Sequence, residues 1–254
     1  MLIHGWQATA DLNFFPLYEP LGVGHPVVAA DLRGHGRSLY PEAPFTLCDA
    51  ADDNAALLRE LGIRRAIVVG YSIGTAVTQT LVARHPDLVA GIVLVGGEFT
   101  PHRRPHEKLY NRIGGWQGTT QRLTNGRWGG HRLVDKAVKE NPGAEPLRGW
   151  LVTEMERGHC ASIRAAGREL ARFNGAPIAD ANPLPAAVVV TRRDHLVRPI
   201  RQERLAAGWK APVIDLDADH DAPIAQPGRF VAAVVDAVAR TAARIDEMTN
   251  AVTA

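Results

Sequence analysis

The stretch Ala66-Ile-Val-Val-Gly-Tyr-Ser72-Ile-Gly-Thr75 leaves this chain few ways to fold: an apolar β-type run turns abruptly at Gly-Tyr-Ser-Ile-Gly and passes straight into a helical pattern. A serine at the tip of so sharp a strand-to-helix turn sits in a strained backbone conformation, and Gly70 and Gly74 keep side chains out of its way. Such a turn exposes the Ser72 hydroxyl at the carboxyl edge of a sheet. It also aims the backbone N–H of Ile73, at the amino end of the new helix, toward any oxyanion formed on a group that Ser72 attacks. The spelling predicts a nucleophile elbow, against the plainer alternative of an ordinary glycine turn.

The segments on either side extend the pattern. Met1-Leu-Ile-His-Gly5-Trp6 reads as the end of a strand entering a loop, and Asp11 to Pro20 includes a short helix. Pro26-Val-Val-Ala-Ala-Asp31 has the continuous apolar character of a buried parallel strand. It ends in Leu32-Arg-Gly-His-Gly-Arg-Ser38, where two glycines mark a tight loop; a phosphate cradle is the weaker reading, because no helix opens directly from it. Thr46 to Leu61 carries apolar residues at helical spacing, with Thr46 and Asp49 placed as a capping box and Gly62 as the stop. The elbow helix runs to His85-Pro86, and Val89 to Val95 is another buried-type strand closed by Gly96-Gly97. This βαβαβ alternation predicts a mostly parallel, doubly wound α/β sheet whose ligands bind beyond the carboxyl ends of the strands, where Ser72 lies.

After Phe99 the character changes. Residues 101–130 are rich in glycine, arginine and aromatics, and residues 139–173 read as two or more helices with no strand. Residues 99–173 are therefore expected to form a helical cap inserted in a core made of 1–98 and 174–254. Trp116, Trp128, Trp150 and Met155 either line a pocket or pack the cap on the core. Seven basic residues (103, 104, 108, 112, 122, 127 and 132) face one acid, Glu107, between Phe99 and Arg132, which fits a solvated basic face or an anionic substrate. The core resumes with strands at Ala186–Val190 and Ala211–Leu216, each ending in polar residues, and an amphipathic helix runs from Pro227 to about Ile245.

Composition narrows the class of protein. With 254 residues, 46% hydrophobic and 22% charged, the chain has enough apolar material for one sizeable core. No apolar run reaches the roughly 20 residues of a membrane-spanning helix, and the first residues lack the pattern of a signal peptide, so a cytoplasmic protein is expected. A formal net charge of +2 gives no reason to expect nucleic acid or a membrane surface as partner. Cys48 and Cys160 are too few for a disulfide framework and lie in no zinc-binding spacing, so neither a metal nor a cofactor is expected.

A serine hydroxyl needs an imidazole to take its proton, and the imidazole needs a carboxylate to fix its tautomer. Asp194 follows one late strand and His220 the next, giving the order Ser72, Asp194, His220. His195 sits directly beside Asp194, and His159 lies in the cap. Asp219 and Asp221 flank His220 and would point away from its ring. With His4-Gly5-Trp6, Asp31 to Ser38, Gly70 to Gly74, Thr191 to Asp194 and Asp219-His220 in this sequence, the chain resembles the α/β-hydrolase-fold superfamily, within its serine esterases, lactonases, carbon–carbon hydrolases and cofactor-free haloperoxidases. The resemblance covers nearly the whole chain. It implies Ser72 as nucleophile, His220 as general base, Asp194 as its orienting acid, and an oxyanion hole made by the N–H groups of Trp6 and Ile73. Glu98 is the alternative acid, because some members of the superfamily place it after the strand that follows the elbow. Dehalogenases and epoxide hydrolases of the fold carry aspartate at the elbow, so Ser72 argues against both. The expected activity is hydrolysis of a small carboxylic ester, thioester or lactone; the alternatives are a non-catalytic ligand-binding or receptor protein on the same fold, and a cofactor-free haloperoxidase or carbon–carbon hydrolase.

The resemblance also implies strands before Met1. The superfamily's strand order, 1-2-4-3-5-6-7-8, places residues 1–3 as a remnant of strand three between Pro26–Asp31 and Ala66–Val69. Pro26–Asp31 would then be an open apolar edge. A chain starting upstream of Met1, or a homodimer through that edge, is expected.

Overall fold

The computed structural model describes residues 1–98 and 127–253. At its centre is a five-stranded, wholly parallel sheet in the order β1 (Leu2–Ile3), β2 (Ala66–Tyr71), β3 (Val89–Val95), β4 (Ala186–Thr191) and β5 (Val213–Leu216). β2, β3 and β4 are largely apolar because helices cover both faces, with successive side chains alternating between them, whereas the edge strand β5 alternates exposed Val213 and Asp215 with buried Ile214 and Leu216. Val68, Ile92, Leu94, Val188 and Val190 pack with helices α3 (Leu47–Glu60) and α4 (Ile73–Arg84) on one side. Val69, Val93, Val95, Ala187 and Val189 pack on the other side with Phe14, Leu17 and Leu21, from or beside the short helices α1 (Ala10–Phe14) and α2 (Tyr18–Gly22). The carboxyl-terminal helix, Pro227–Thr253, covers that same face and continues past the expected end near Ile245.

Thr46 and Gly62 end α3 as expected, but the capping box is only half made. Thr46 Oγ1 accepts from Asp49 N at 3.0 Å, while the Asp49 carboxylate turns to Arg33 Nη1 at 3.2 Å. Gly62 has φ +68°, and Ile63 N donates to Leu58 O while Gly62 N donates to Arg59 O, the paired bonds that close a helix end.

One strand expected from sequence is absent. Pro26–Asp31 forms no strand: it meets the sheet through the single Leu2–Ala29 bridge and a 2.8 Å bond from Leu2 N to Val28 O, beside β1 where the superfamily order places it. The physical reason is its neighbour, a two-residue β1 that offers too short an edge for a ladder. Instead of running on, Asp31 ends the segment by accepting from Ala10 N and Arg37 N, both at 2.7 Å.

Among the described residues of the expected cap there are helices α5 (Arg127–Glu140), α6 (Arg148–Glu156) and α7 (Cys160–Leu170), and no strand. The basic positions 103, 104, 108, 112 and 122, with Glu107 and Trp116, lie outside the described residues, as do the side chains of Arg127 and Trp128. Trp150 and Met155 pack against a cluster built from Ala8, Leu12, Val134, Leu151 and Ile224, so both serve to seat the cap on the core. Beside them the fully buried Glu154 carboxylate accepts from Thr9 Oγ1 at 2.8 Å, Arg37 Nη2 at 2.6 Å and Arg157 Nε at 3.0 Å. The loop 32–38 is the structural turn its glycines suggested, and its task is to hold the cap. Gly34 O accepts from His159 N, Gly36 N donates to Arg157 O, and both glycines have positive φ.

Candidate active site

The elbow is strained as its sequence implied. Ser72 has φ +54° and ψ −119°, a region costing roughly 1–3 kcal/mol for a residue with a side chain. Neighbouring groups enforce it. Ser72 N donates to Val95 O at 2.9 Å, and Ser72 O accepts from Thr75 N at 2.9 Å and Thr75 Oγ1 at 2.7 Å. A Cβ on Gly74 would stand 2.1 Å from Ile3 O, and one on Gly70 would stand 2.5 Å from Gly74 O, so β1, β2 and α4 meet here only because both residues are glycine.

Three side chains from three separate loops converge at this edge of the sheet. His220 Nε2 lies 2.9 Å from Ser72 Oγ, and His220 Nδ1 lies 2.7 Å from Asp194 Oδ2. Asp194 is 4% exposed and is held in place by Leu196 N and Val197 N on Oδ1, both at 2.8 Å, and by Thr191 Oγ1 at 2.7 Å and Gln202 Nε2 at 3.3 Å on Oδ2. The alternative acid Glu98 is engaged elsewhere, with Oε2 at 2.9 Å from Arg201 Nη1. His195 is turned to Asp219, and His159 to Ser162 in the cap.

The loop expected to complete an oxyanion hole runs past the serine. A Cβ on Gly5 would fall 3.3 Å from Ser72 Cβ, so the chain entering Trp6 brushes Ser72; Ile73, first residue of α4, is fully buried beneath it. Gly5 N donates to Asn13 Oδ1 at 2.7 Å. His4 holds the Gly5 carbonyl: Leu32 N donates to its Nε2 at 2.8 Å, so Nδ1 carries the hydrogen and donates to Gly5 O at 2.7 Å. The indole of Trp6 donates to Ile163 O in α7 at 2.7 Å, tying this loop to the cap.

Burial, reinforced by the neighbouring His35 and only partly offset by the bond to Gly5, lowers the His4 pKa to about 3 from 6.5. The sign follows from which state takes up the proton. Between pH 6.5 and about 3 the unfolded chain binds a proton that the folded ring refuses, so stability falls as pH falls, by about 3 kcal/mol at pH 4 from this group. His4→Gln should therefore lose less of its thermal stability than the parent when melted at pH 4 instead of pH 7. Equal losses in the two proteins would remove His4 as the cause.

Several residues that shape the site carried no signal in the sequence. Tyr71 donates its hydroxyl to His220 O and lies under the imidazole with ring centroids 5.5 Å apart. Burial pushes its pKa well above 10, so it remains a donor at every working pH. Gln202, fully buried on the helix Pro199–Gly208, donates to Thr191 Oγ1 at 2.7 Å and Val197 O at 2.6 Å, bracing the loop that presents Asp194. Only the helical register of Gln202 and the tyrosine inside the elbow could have hinted at either.

A parallel sheet wrapped by helices, with hydroxyl, imidazole and carboxylate joined in line beyond its strand ends, defines a class of doubly wound α/β proteins that work at the carboxyl edge. The family model for the alpha/beta hydrolase fold matches residues 1–227, and the chain belongs to that family. A 2-(acetamidomethylene)succinate hydrolase of Mesorhizobium japonicum is 38% identical over 102 residues, 40% of this chain and 36% of the relative. A bifunctional esterase/perhydrolase of Acinetobacter calcoaceticus is 40% identical over 93 residues, 36% of this chain and 34% of the relative. The chain thus spans about a third of the length of these two curated relatives. Among solved structures, the enol-lactonase from Burkholderia xenovorans LB400 superposes with a TM-score of 0.76 at 22% identity, covering 94% of this chain and 90% of that one. Likeness at that level speaks for the fold. Among the described residues, no helix is long and apolar enough to cross a membrane.

Proposed function

We propose that this protein is a serine hydrolase that cleaves a small carboxylic ester, thioester or lactone through an acyl-enzyme. The observation that carries the reading is the unbroken line from Ser72 Oγ through the His220 ring to Asp194, at 2.9 and 2.7 Å. Ser72 attacks the substrate carbonyl as His220 Nε2 takes its proton, and Asp194 holds Nδ1–H and stabilises the imidazolium. The Ile73 and Trp6 N–H groups stabilise the oxyanion. His220 then gives its proton to the departing oxygen or sulfur, leaving the acyl group on Ser72. A water enters, loses a proton to His220 and attacks the ester, and the carboxylic acid leaves as Ser72 regains its hydrogen. The esterase and hydrolase activities named for the relatives support this chemistry.

A fluorophosphonate probe tests the reading directly, because only an activated serine is phosphonylated. Labelling should map to Ser72 by peptide mass and vanish in His220→Ala. A parent protein that stays unlabelled would return the fold to the ligand-binding alternative. The likeness to a non-heme chloroperoxidase of Streptomyces lividans, 40% identical over 93 residues, favours one second reading, in which hydrogen peroxide replaces water at the acyl-enzyme and releases a peracid. Peracid formed from acetate and peroxide, compared with ester hydrolysis, separates the two.

A further inference from the structure

His220 lies between two carboxylates of its own loop, and the cap reaches both. From α5, Lys136 Nζ donates to Asp219 Oδ2 at 2.7 Å and Asp221 Oδ2 at 3.0 Å, with Glu140 Oε1 further off at 3.7 Å. Asp219 Oδ1 in turn accepts from the backbone N–H of His220 at 2.7 Å, so one carboxylate links the cap to the main chain that carries the imidazole. Asp221 Oδ1 is buried with no hydrogen-bond partner among the described residues.

We infer that Lys136 is a positioning residue of the hydrolase proposed above: it fixes the 219–221 loop and offsets its two negative charges, so that docking of the cap helix sets how readily His220 gives up its proton. The groups facing the imidazole support this assignment. Asp194 and Ser72 occupy its two ring nitrogens, and Tyr71, a neutral phenol, lies beneath it. In its own loop only Asp219 and Asp221 add charge; His195 shares Asp219, and the outer Asp217 is paired with Arg193 and Arg229. From the cap come Lys136 and, behind it, Glu140. Two unneutralised carboxylates would favour imidazolium, and an ammonium on both opposes that. Partial burial works against the Lys136 charge, yet its hydrogen bonds to Asp219 and Asp221 outweigh burial and raise its pKa.

The test is a pH profile of kcat/KM for p-nitrophenyl acetate in the parent, K136Q, K136R and D221N, beside an NMR titration of the His220 imidazole, identified by its loss in H220Q. In K136Q the acid limb and the imidazole midpoint should both move up by about half a pH unit, with the plateau rate within a few-fold of the parent. K136R keeps the charge and should hold the parent's limb. D221N removes an anion and should move both readouts down. A uniform fall in rate for K136Q with an unmoved limb and midpoint would reduce Lys136 to a strut and overturn the assignment. Should K136Q fail to fold, an unmoved midpoint in D221N would do the same. A parent without esterase activity would sink the proposed function alone, since the imidazole titration reads Lys136 without turnover.

Discussion

Ser72→Ala is expected to lower turnover of a responsive ester about a million-fold while leaving the fold intact. The size follows from the proposed mechanism, in which removing Oγ removes the acyl-enzyme and the remaining oxyanion donors and binding groups supply only about a thousand- to ten-thousand-fold over water. The stability of the variant should hold, because the strained elbow is imposed from outside the side chain. Ser72 N and O are held by Val95 and Thr75, and Gly70 and Gly74 admit the neighbouring backbone. Melting curves of parent and variant would superpose closely as the rates diverge. Unchanged ester hydrolysis in Ser72→Ala would overturn the mechanism. His220→Ala should lose about as much, since the proposed nucleophile and base would act as one unit.

Asp194→Asn should lower turnover about ten-thousand-fold. An asparagine there can turn its amide toward the ring and donate to Nδ1, which leaves the hydrogen on Nε2, facing Ser72. That tautomer cannot accept the serine's proton. The comparison variant is Glu98→Gln. Its carboxylate lies on Arg201 at 2.9 Å, so the change should stay within about tenfold, the scale of a partly exposed ion pair. Steady-state kinetics of the two variants on one substrate decides between the two acids. A large loss in Glu98→Gln with a small one in Asp194→Asn would move the acid to the end of β3.

Much of this site could be read along the chain because its pieces are local. The elbow is a strand, a turn and a helix within ten residues, and its two glycines answer to contacts as close as 2.1 and 2.5 Å. Asp194 and His220 each follow a strand whose apolar run is plain in the sequence, and parallel strands deliver their following loops to one edge. The same reasoning misread Pro26–Asp31, where composition suits a strand but the neighbouring β1 has two residues with which to pair it. A ladder is a property of two segments, and apolar character in one cannot supply the other.

The α/β alternation, the strained serine and the order of serine, acid and histidine are therefore written in local sequence, all set by backbone preferences and side-chain periodicity over a few residues. Their surroundings come from the packing of distant segments. Tyr71 meets the carbonyl of a residue 149 positions away, Trp6 binds one 157 away, and Lys136 reaches across 83 positions to Asp219. Such partners have no pattern along the chain. They are chosen when the sheet's register and the seating of the cap bring surfaces within about 3 Å, the distance at which hydrogen bonds and ion pairs first acquire direction.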